Sequence, residues 1–172
     1  MGVPMSNAAL TVAFVARAID AMVCDELRLR DDAGHQPEVL VDEEGGNPLR
    51  CCLTLSQPGD QVMLASYAPL RRWAAGTGAK PGPYLEIGPV FLHPTRCDGP
   101  GHKGYPDAFR GWPRVLRAYD ANGRIIGGAL LDEDAAPEPL IDRLFTDDSV
   151  AFIHVRAVIA GCFTFWIDRC SD

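Results

Sequence analysis

The stretch VAFIHVRAVIAGCFTFWIDR, Val150 to Arg169, decides the fold because it predicts a long antiparallel hairpin at the end of the chain. A three-residue loop, Ile159-Ala160-Gly161, with Gly161 in the left-handed region lets the apolar residues of both arms share one face. That face then belongs to the core. The pairs predicted by this register are Val158 with Cys162, Arg156 with Thr164, and His154 with Trp166.

The second face of this hairpin carries His154, Arg156, Cys162 and Trp166. It is too apolar for a plain solvated surface and too polar for a second core. Either it is a half-exposed flank on which Trp166 stacks against a charged side chain, or it lines a polar cavity covered by a long loop. In the second case Arg156, Trp166 and Cys162, together with Tyr67 of the segment LASYAP, would bind the ligand.

The other segments predict an α+β domain with a mostly antiparallel sheet of about six or seven strands, two short helices on one side and two long loops. Asp20 is a candidate N-cap for the first helix, and EPLIDRLF predicts the second from its apolar face. Asn122-Gly123 predicts a hairpin with a type I′ turn. The segment LRRWAAGTGAKPGP, Leu70 to Pro83, has no period and is predicted to be a mobile loop.

Length and charge limit the class of protein. The chain has 172 residues, 47% of them hydrophobic, which predicts one domain over residues 1–172. Its net charge of -7 argues against nucleic acid as a partner. The first apolar run is interrupted by Arg17 and Asp20, so it predicts neither a signal peptide nor a membrane span. We therefore expect a cytoplasmic protein with reduced thiols, and a homodimer is one arrangement that the sequence leaves open.

Glu86 and His93 lie in the segment PYLEIGPVFLH, which predicts a strand interrupted at Gly88-Pro89. A bulge there would bring the two side chains to one face of the strand. Glu86 has apolar neighbours, so it needs a partner if it is buried, and Arg156 is one candidate. Two roles are open. Glu86 and Arg156 would form a buried pair that stabilises the sheet, or Glu86 would act as an acid or base beside a histidine.

Six cysteines raise the question of a metal or a thiol nucleophile. His93 and Cys97 have ligand-like spacing, and other histidines and cysteines could complete a zinc set. However, no CxxC or HxxH pair is present, and the adjacent residues Cys51 and Cys52 would point to opposite faces of a strand. We therefore predict no metal and no cofactor. A nucleophilic thiol at Cys52, Cys97 or Cys162 is a further alternative, although burial as a small apolar residue is the commoner fate of a strand cysteine.

Several blocks of the chain resemble a bacterial family known as domain of unknown function 1203. They include GGNPLRCCL, LASYAP, PYLEIGPVFLHPTRC, LRAYDANGRII and VAFIHVRAVIAGCF. The family pattern often has one cysteine at the position of Leu49 and a second at Cys52. This chain lacks the first of these cysteines, which weakens the case for a two-cysteine metal or redox site in this block. The resemblance implies a single cytoplasmic domain and draws attention to the polar residues of these blocks, but it implies no activity.

From these observations we predict a small-molecule enzyme that needs no cofactor. Glu86 with His93 or His154 would transfer protons, and Arg156 would hold an anionic or carbonyl oxygen, as in an isomerase, cyclase, lyase or hydrolase. The alternative is a ligand-binding or protein-interaction domain without catalysis, in which the same residues form a structural network.

Overall fold

The computed structural model describes residues 13–170, which form ten strands and three α-helices. The α+β prediction is confirmed, but the strands form two sheets of five rather than one sheet. The strands are β1 Phe14–Arg17, β2 Glu38–Asp42, β3 Pro48–Leu49, β4 Thr54–Leu55, β5 Asp60–Tyr67, β6 Gly88–Leu92, β7 Arg114–Tyr119, β8 Ile125–Leu131, β9 Phe152–Ala157 and β10 Phe163–Arg169. The helices are α1 Ala21–Leu29, α2 Pro69–Thr77 and α3 Pro137–Phe145.

The first sheet has the order β1-β10-β9-β7-β8, and all its strands are antiparallel. One face of β9 and β10 belongs to the main core, as the hairpin register predicts. Ile141 and Phe145 of α3 belong to this same core, because the helix buries its apolar stripe there. The residues of the two strands in this core are Ile153, Val155, Phe165 and Ile167.

The second sheet has the order β2-β5-β6-β3-β4 and is antiparallel except where β3 runs parallel to β6. Cys24 and Leu27 of α1 lie in its core, and Asp20 caps this helix as predicted by accepting from the Met22 amide. Pro89 lies in β6, an inner strand. From the sequence we expected this strand to lie at an edge or to carry a bulge. Strand β3 pairs with β6 only at Phe91, so no hydrogen bond to β3 requires a backbone N–H at Pro89.

Helix α2 replaces the first part of the loop that the sequence predicted from Leu70 to Pro83. Pro69 begins the helix at a position where its missing amide hydrogen is not needed, and Gly78 ends it with φ 74° and an amide that donates to the Ala74 carbonyl. Leu70 is buried against Tyr119 and Phe152. The loop prediction was wrong because proline and glycine here mark the helix boundary.

The terminal hairpin follows the predicted register only in part. His154 is opposite Trp166, and Gly161 has φ 68°, as expected. A bulge at Thr164 places Phe163, rather than Thr164, opposite Arg156, and Phe163 joins the core of the second sheet. Strand β9 ends at Ala157, so the predicted pair of Val158 with Cys162 does not form.

The Asn122-Gly123 hairpin joins β7 and β8 as predicted, but its turn differs. Among the described residues, Leu53 is the one non-glycine residue with a positive φ, so Asn122 does not adopt the conformation that type I′ requires. The carboxylate of Asp120 instead accepts from the amides of Asn122 and Arg124, and Tyr119 lies opposite Ile125. None of the described helices combines the length and the apolar character needed to cross a bilayer.

Candidate functional site

Glu86, in the segment just before β6, lies at the centre of a charged network with Arg117 of β7 and Arg156 of β9. Its Oε1 accepts from Nη1 of Arg117 at 2.8 Å, and its Oε2 accepts from Nη2 of Arg156 at 2.6 Å. Nε of Arg156 also donates to the Gly161 carbonyl at 2.8 Å. The side chain of Arg156 is only 10% exposed, against 40% for Glu86. The predicted Glu86–Arg156 pair is confirmed, and Arg117 is a second partner.

Two cavities lie beside this network and share Tyr67, Pro69 and Phe163. The first, which we call the Glu86 cavity, has a volume of about 220 Å³ and is also lined by Glu86, Arg156 and Cys162. The second, which we call the Trp166 cavity, has a volume of about 330 Å³ and is also lined by Trp73, Trp166, Arg17, Arg72 and Asp168. The ring centroids of Tyr67 and Phe163, which line both cavities, are 5.5 Å apart.

The charged groups of the Trp166 cavity already have partners. Arg17 pairs with Asp168, whose other oxygen accepts from the Trp166 indole. Arg72 pairs with Asp32 and Glu26. The aromatic rings of this cavity are therefore the main groups left to contact a ligand.

His154 is fully buried and lines neither cavity. Its ring lies 4.6 Å from the ring centroids of Tyr119 and Trp166, and within the described chain neither ring nitrogen has a hydrogen-bond partner. Burial, and then the positive charges of Arg156 and Arg117, hold the pKa of His154 well below its ordinary value. The imidazole is consequently neutral and closed to solvent.

His93 lies at a different place, among three cysteines. Its Nδ1 is 3.4 Å from Sγ of Cys51 and 3.7 Å from Sγ of Cys52, and Cys97 completes a group whose ligand atoms all lie within 4.8 Å of one another. All three thiols are free. We call these four residues the cysteine–histidine cluster.

The chain forms this cluster by a turn that the sequence did not predict. Cys51 and Cys52 lie between β3 and β4 rather than within a strand, and the amide of Leu53 donates to the Leu49 carbonyl at 2.8 Å. Leu53 has φ 59°. Adjacent residues of a strand point to opposite faces, but those of a tight turn need not. Both thiols can therefore face one ion, contrary to the prediction from the sequence.

The electrostatics of the two adjacent thiols differ. A hydrogen bond from the Cys51 thiol, and then the Thr54 side chain at 3.1 Å, lower the pKa of Cys52. The same thiol–thiol contact and burial raise the pKa of Cys51. Cys52 is thus the first of the pair to become a thiolate.

The structure brings together five of the seven residues that the sequence singled out. Glu86, Arg156, Cys162, Tyr67 and Trp166 line the two cavities, whereas His93 and His154 lie elsewhere. Sequence reasoning missed Arg117 and Trp73. Arg117 lies opposite His154 across β7 and β9, a pairing between distant segments that no local pattern indicates. Trp73 was missed because it lies in α2, in the segment that the sequence predicted to be a loop.

The described residues form an α+β fold with two adjoining cavities, one of them lined by a Glu–Arg network, and with a separate cysteine–histidine cluster. The chain belongs to the family described as "Protein of unknown function (DUF1203)", whose model matches residues 46–169. The matched residues include Tyr67, Glu86, His154 and the whole cluster. Comparison with curated proteins and with solved structures found no match.

Proposed function

We propose that this protein is a small-molecule-binding domain whose ligand occupies the Glu86 cavity and the Trp166 cavity. The observation that carries the proposal is that these cavities share Tyr67 and Phe163 and collect the binding residues expected from the sequence. Their volumes of about 220 and 330 Å³ together fall within the usual range for a small ligand.

The lining favours a ligand with a flat apolar ring and a polar end. Tyr67, Trp73, Phe163 and Trp166 surround the Trp166 cavity, and such rings bind flat groups by stacking or edge contacts. The Glu86 cavity offers polar groups at Arg156 and Cys162. The net charge of -7 favours a neutral or cationic ligand over an anionic one.

Binding without catalysis is supported better than acid–base catalysis. A general base must reach the proton that it removes, directly or through one water. Of the three residues proposed for catalysis, only Glu86 lines one of these two cavities, and both of its oxygens are held by arginines. The enzyme hypothesis stays a prediction that rests on Glu86. The cytoplasmic location and the homodimer also stay parts of the proposal.

Tryptophan fluorescence tests the proposal after a thermal-shift screen of ring-containing small molecules. Trp73 and Trp166 line the cavity, whereas Trp112 is 51% exposed and lines neither cavity. We expect a ligand that quenches the wild-type fluorescence, binds at least about tenfold more weakly to Trp166→Ala, and binds Trp112→Ala with unchanged affinity.

Two results would contradict the proposal. One is a screen in which no compound stabilises the protein. The other is a ligand that binds equally well to the wild type, to Trp166→Ala and to Arg156→Ala, because such a ligand would occupy neither cavity. An Arg156→Ala protein that loses affinity while Trp166→Ala keeps it would confine the ligand to the Glu86 cavity.

A further inference from the structure

The cysteine–histidine cluster carries an inference that is independent of the two cavities. We propose that Cys51, Cys52, Cys97 and Nδ1 of His93 bind one Zn²⁺ ion in a closed, tetrahedral, structural site. Three thiolates and one imidazole are a ligand set that zinc uses in structural sites of proteins.

The distances within the cluster fit this geometry. Zinc–sulfur bonds of about 2.3 Å and zinc–nitrogen bonds of about 2.0 Å place tetrahedral ligand atoms roughly 3.5 to 3.8 Å apart. The observed separations from His93 Nδ1 are 3.4 Å to Cys51 and 3.7 Å to Cys52. The ligand atoms of the group all lie within 4.8 Å of one another, so shifts of about 1 Å in their positions, made by side-chain rotation, would complete the site.

The surroundings of the ligands also suit a metal. The backbone amide of His93 is 3.3 Å from Cys51 Sγ, and Thr54 Oγ1 is 3.1 Å from Cys52 Sγ, so both can donate to thiolates. Arg28 donates to the carbonyls of His93 and Thr95 and thereby fixes the backbone beside the imidazole. Hydrogen bonds of this kind orient metal ligands and tune their charge.

An ion can also reach the cluster. Cys51 and Cys97 line a cavity of about 600 Å³, which is the entry path that a metal site requires. Cys51 and Cys52 are 5% and 7% exposed, so an ion held between them would be largely shielded from water. Zinc would then tie the turn after β3 to the segment after β6, which carries His93 and Cys97.

Three thiolates select soft metals, and the arrangement favours zinc among them. Iron–sulfur clusters are usually held by four cysteine thiolates, whereas this group has three and one imidazole. Imidazole and thiolate together in a tetrahedral set are typical of zinc. Binding would release thiol protons, since the ligands must be deprotonated.

Elemental analysis is the first test. The protein should be produced with zinc in the medium and purified without chelator and with a phosphine reductant. We expect about one zinc ion per chain. A content below about a tenth of an ion overturns the proposal, and a full equivalent of iron or copper overturns the choice of zinc.

Variants locate the ion. We expect Cys52→Ser and His93→Gln each to lower the zinc content at least about tenfold, because each removes a direct ligand. Cys170→Ser is the matched control, since Cys170 is exposed and lies outside the cluster, and it should keep the wild-type content. Full zinc in Cys52→Ser and His93→Gln would overturn the assignment.

A measurement on the wild type keeps the test valid if the variants fail to fold. We expect alkylation of the native protein to spare Cys51, Cys52 and Cys97 until a strong chelator is added, while Cys170 reacts at once. Replacement of zinc by Co²⁺ should give the intense visible absorption of a tetrahedral thiolate complex. Alkylation that does not respond to chelator, together with no such absorption, refutes the site.

Discussion

Replacing Glu86 by glutamine separates a structural network from a catalytic site. The side chain keeps its size but loses the charge that both arginines use. Arg117 is 26% exposed and loses an ion pair of the kind that contributes about 0.2–1 kcal/mol. Arg156 is only 10% exposed, and the loss of a hydrogen bond between charged groups at such a site costs about 1.5–3 kcal/mol.

The neutral amide of glutamine still accepts one hydrogen bond, and Glu86 is 40% exposed, so we expect a net loss of about 2 kcal/mol in the free energy of unfolding. For a chain of this size, a loss of 1 kcal/mol in the free energy of unfolding lowers the melting temperature by about 2–4 °C. The melting temperature of Glu86→Gln should therefore fall by about 4–8 °C. Differential scanning calorimetry and urea unfolding measure both quantities.

Glu138→Gln is the matched control. Glu138 pairs with Arg110, and the side chains of Glu138 and Arg110 are 36% and 40% exposed. Loss of this ion pair should therefore lower the free energy of unfolding by about 0.5 kcal/mol. If Glu86→Gln is no more destabilising than Glu138→Gln, the network of Glu86 with Arg117 and Arg156 does not stabilise the fold. A gain in stability would instead favour the acid–base enzyme, because functional residues are often held at a cost to stability.

Two further predictions concern buried positions. His154→Phe should remove the part of the pH dependence that His154 contributes. The pKa of His154 is lowered in the folded state, so its protonation in the unfolded chain lowers wild-type stability as the pH falls below about 6.5, by at most about 1.4 kcal/mol per pH unit. Urea unfolding from pH 7.5 to 5 should show a smaller loss in the variant, and equal slopes would contradict this. Gly123→Ala should destabilise more than Gly59→Ala, by about 1–3 kcal/mol, because its new Cβ would lie 2.9 Å from Trp73 whereas Gly59, with a similar φ, has open space. Equal melting temperatures in the two variants would disprove the clash.

The Glu86–Arg156 pair was predicted from the sequence, but on a premise that the structure does not bear out. The expectation was that Glu86, between Leu85 and Ile87, would be buried and would need a cation, whereas Glu86 is 40% exposed and both neighbours are exposed. The buried partner is Arg156, so it is this cation of the last hairpin that needs the carboxylate. Arg117 could not be predicted in the same way. Its place beside Glu86 depends on β7 pairing with β9, which follows from the whole sheet and not from any segment.

The second face of the last hairpin shows how one wrong element changes the interpretation of a site. The alternatives from sequence were a half-exposed flank or a polar cavity under a loop. Trp73 of α2 lies 5.9 Å from Trp166 and 4.7 Å from Phe152, so a helix covers this face and His154 is enclosed by rings. A buried imidazole without hydrogen bonds is unfavourable, and the surrounding rings offset part of this loss by their contacts.

The turn at Cys51 and Cys52 contains an unfavourable conformation that the metal proposal helps to explain. A leucine with φ 59° costs roughly 1–2 kcal/mol relative to a residue in the right-handed or extended region. Leu53 is 3% exposed, so its burial offsets this strain, but an apolar side chain can be buried from many unstrained conformations. Strained residues are found mainly where the surrounding structure requires them, often beside functional groups. Here the conformation of Leu53 shapes the turn that brings two adjacent thiols towards His93, and a strand at the same place would separate them.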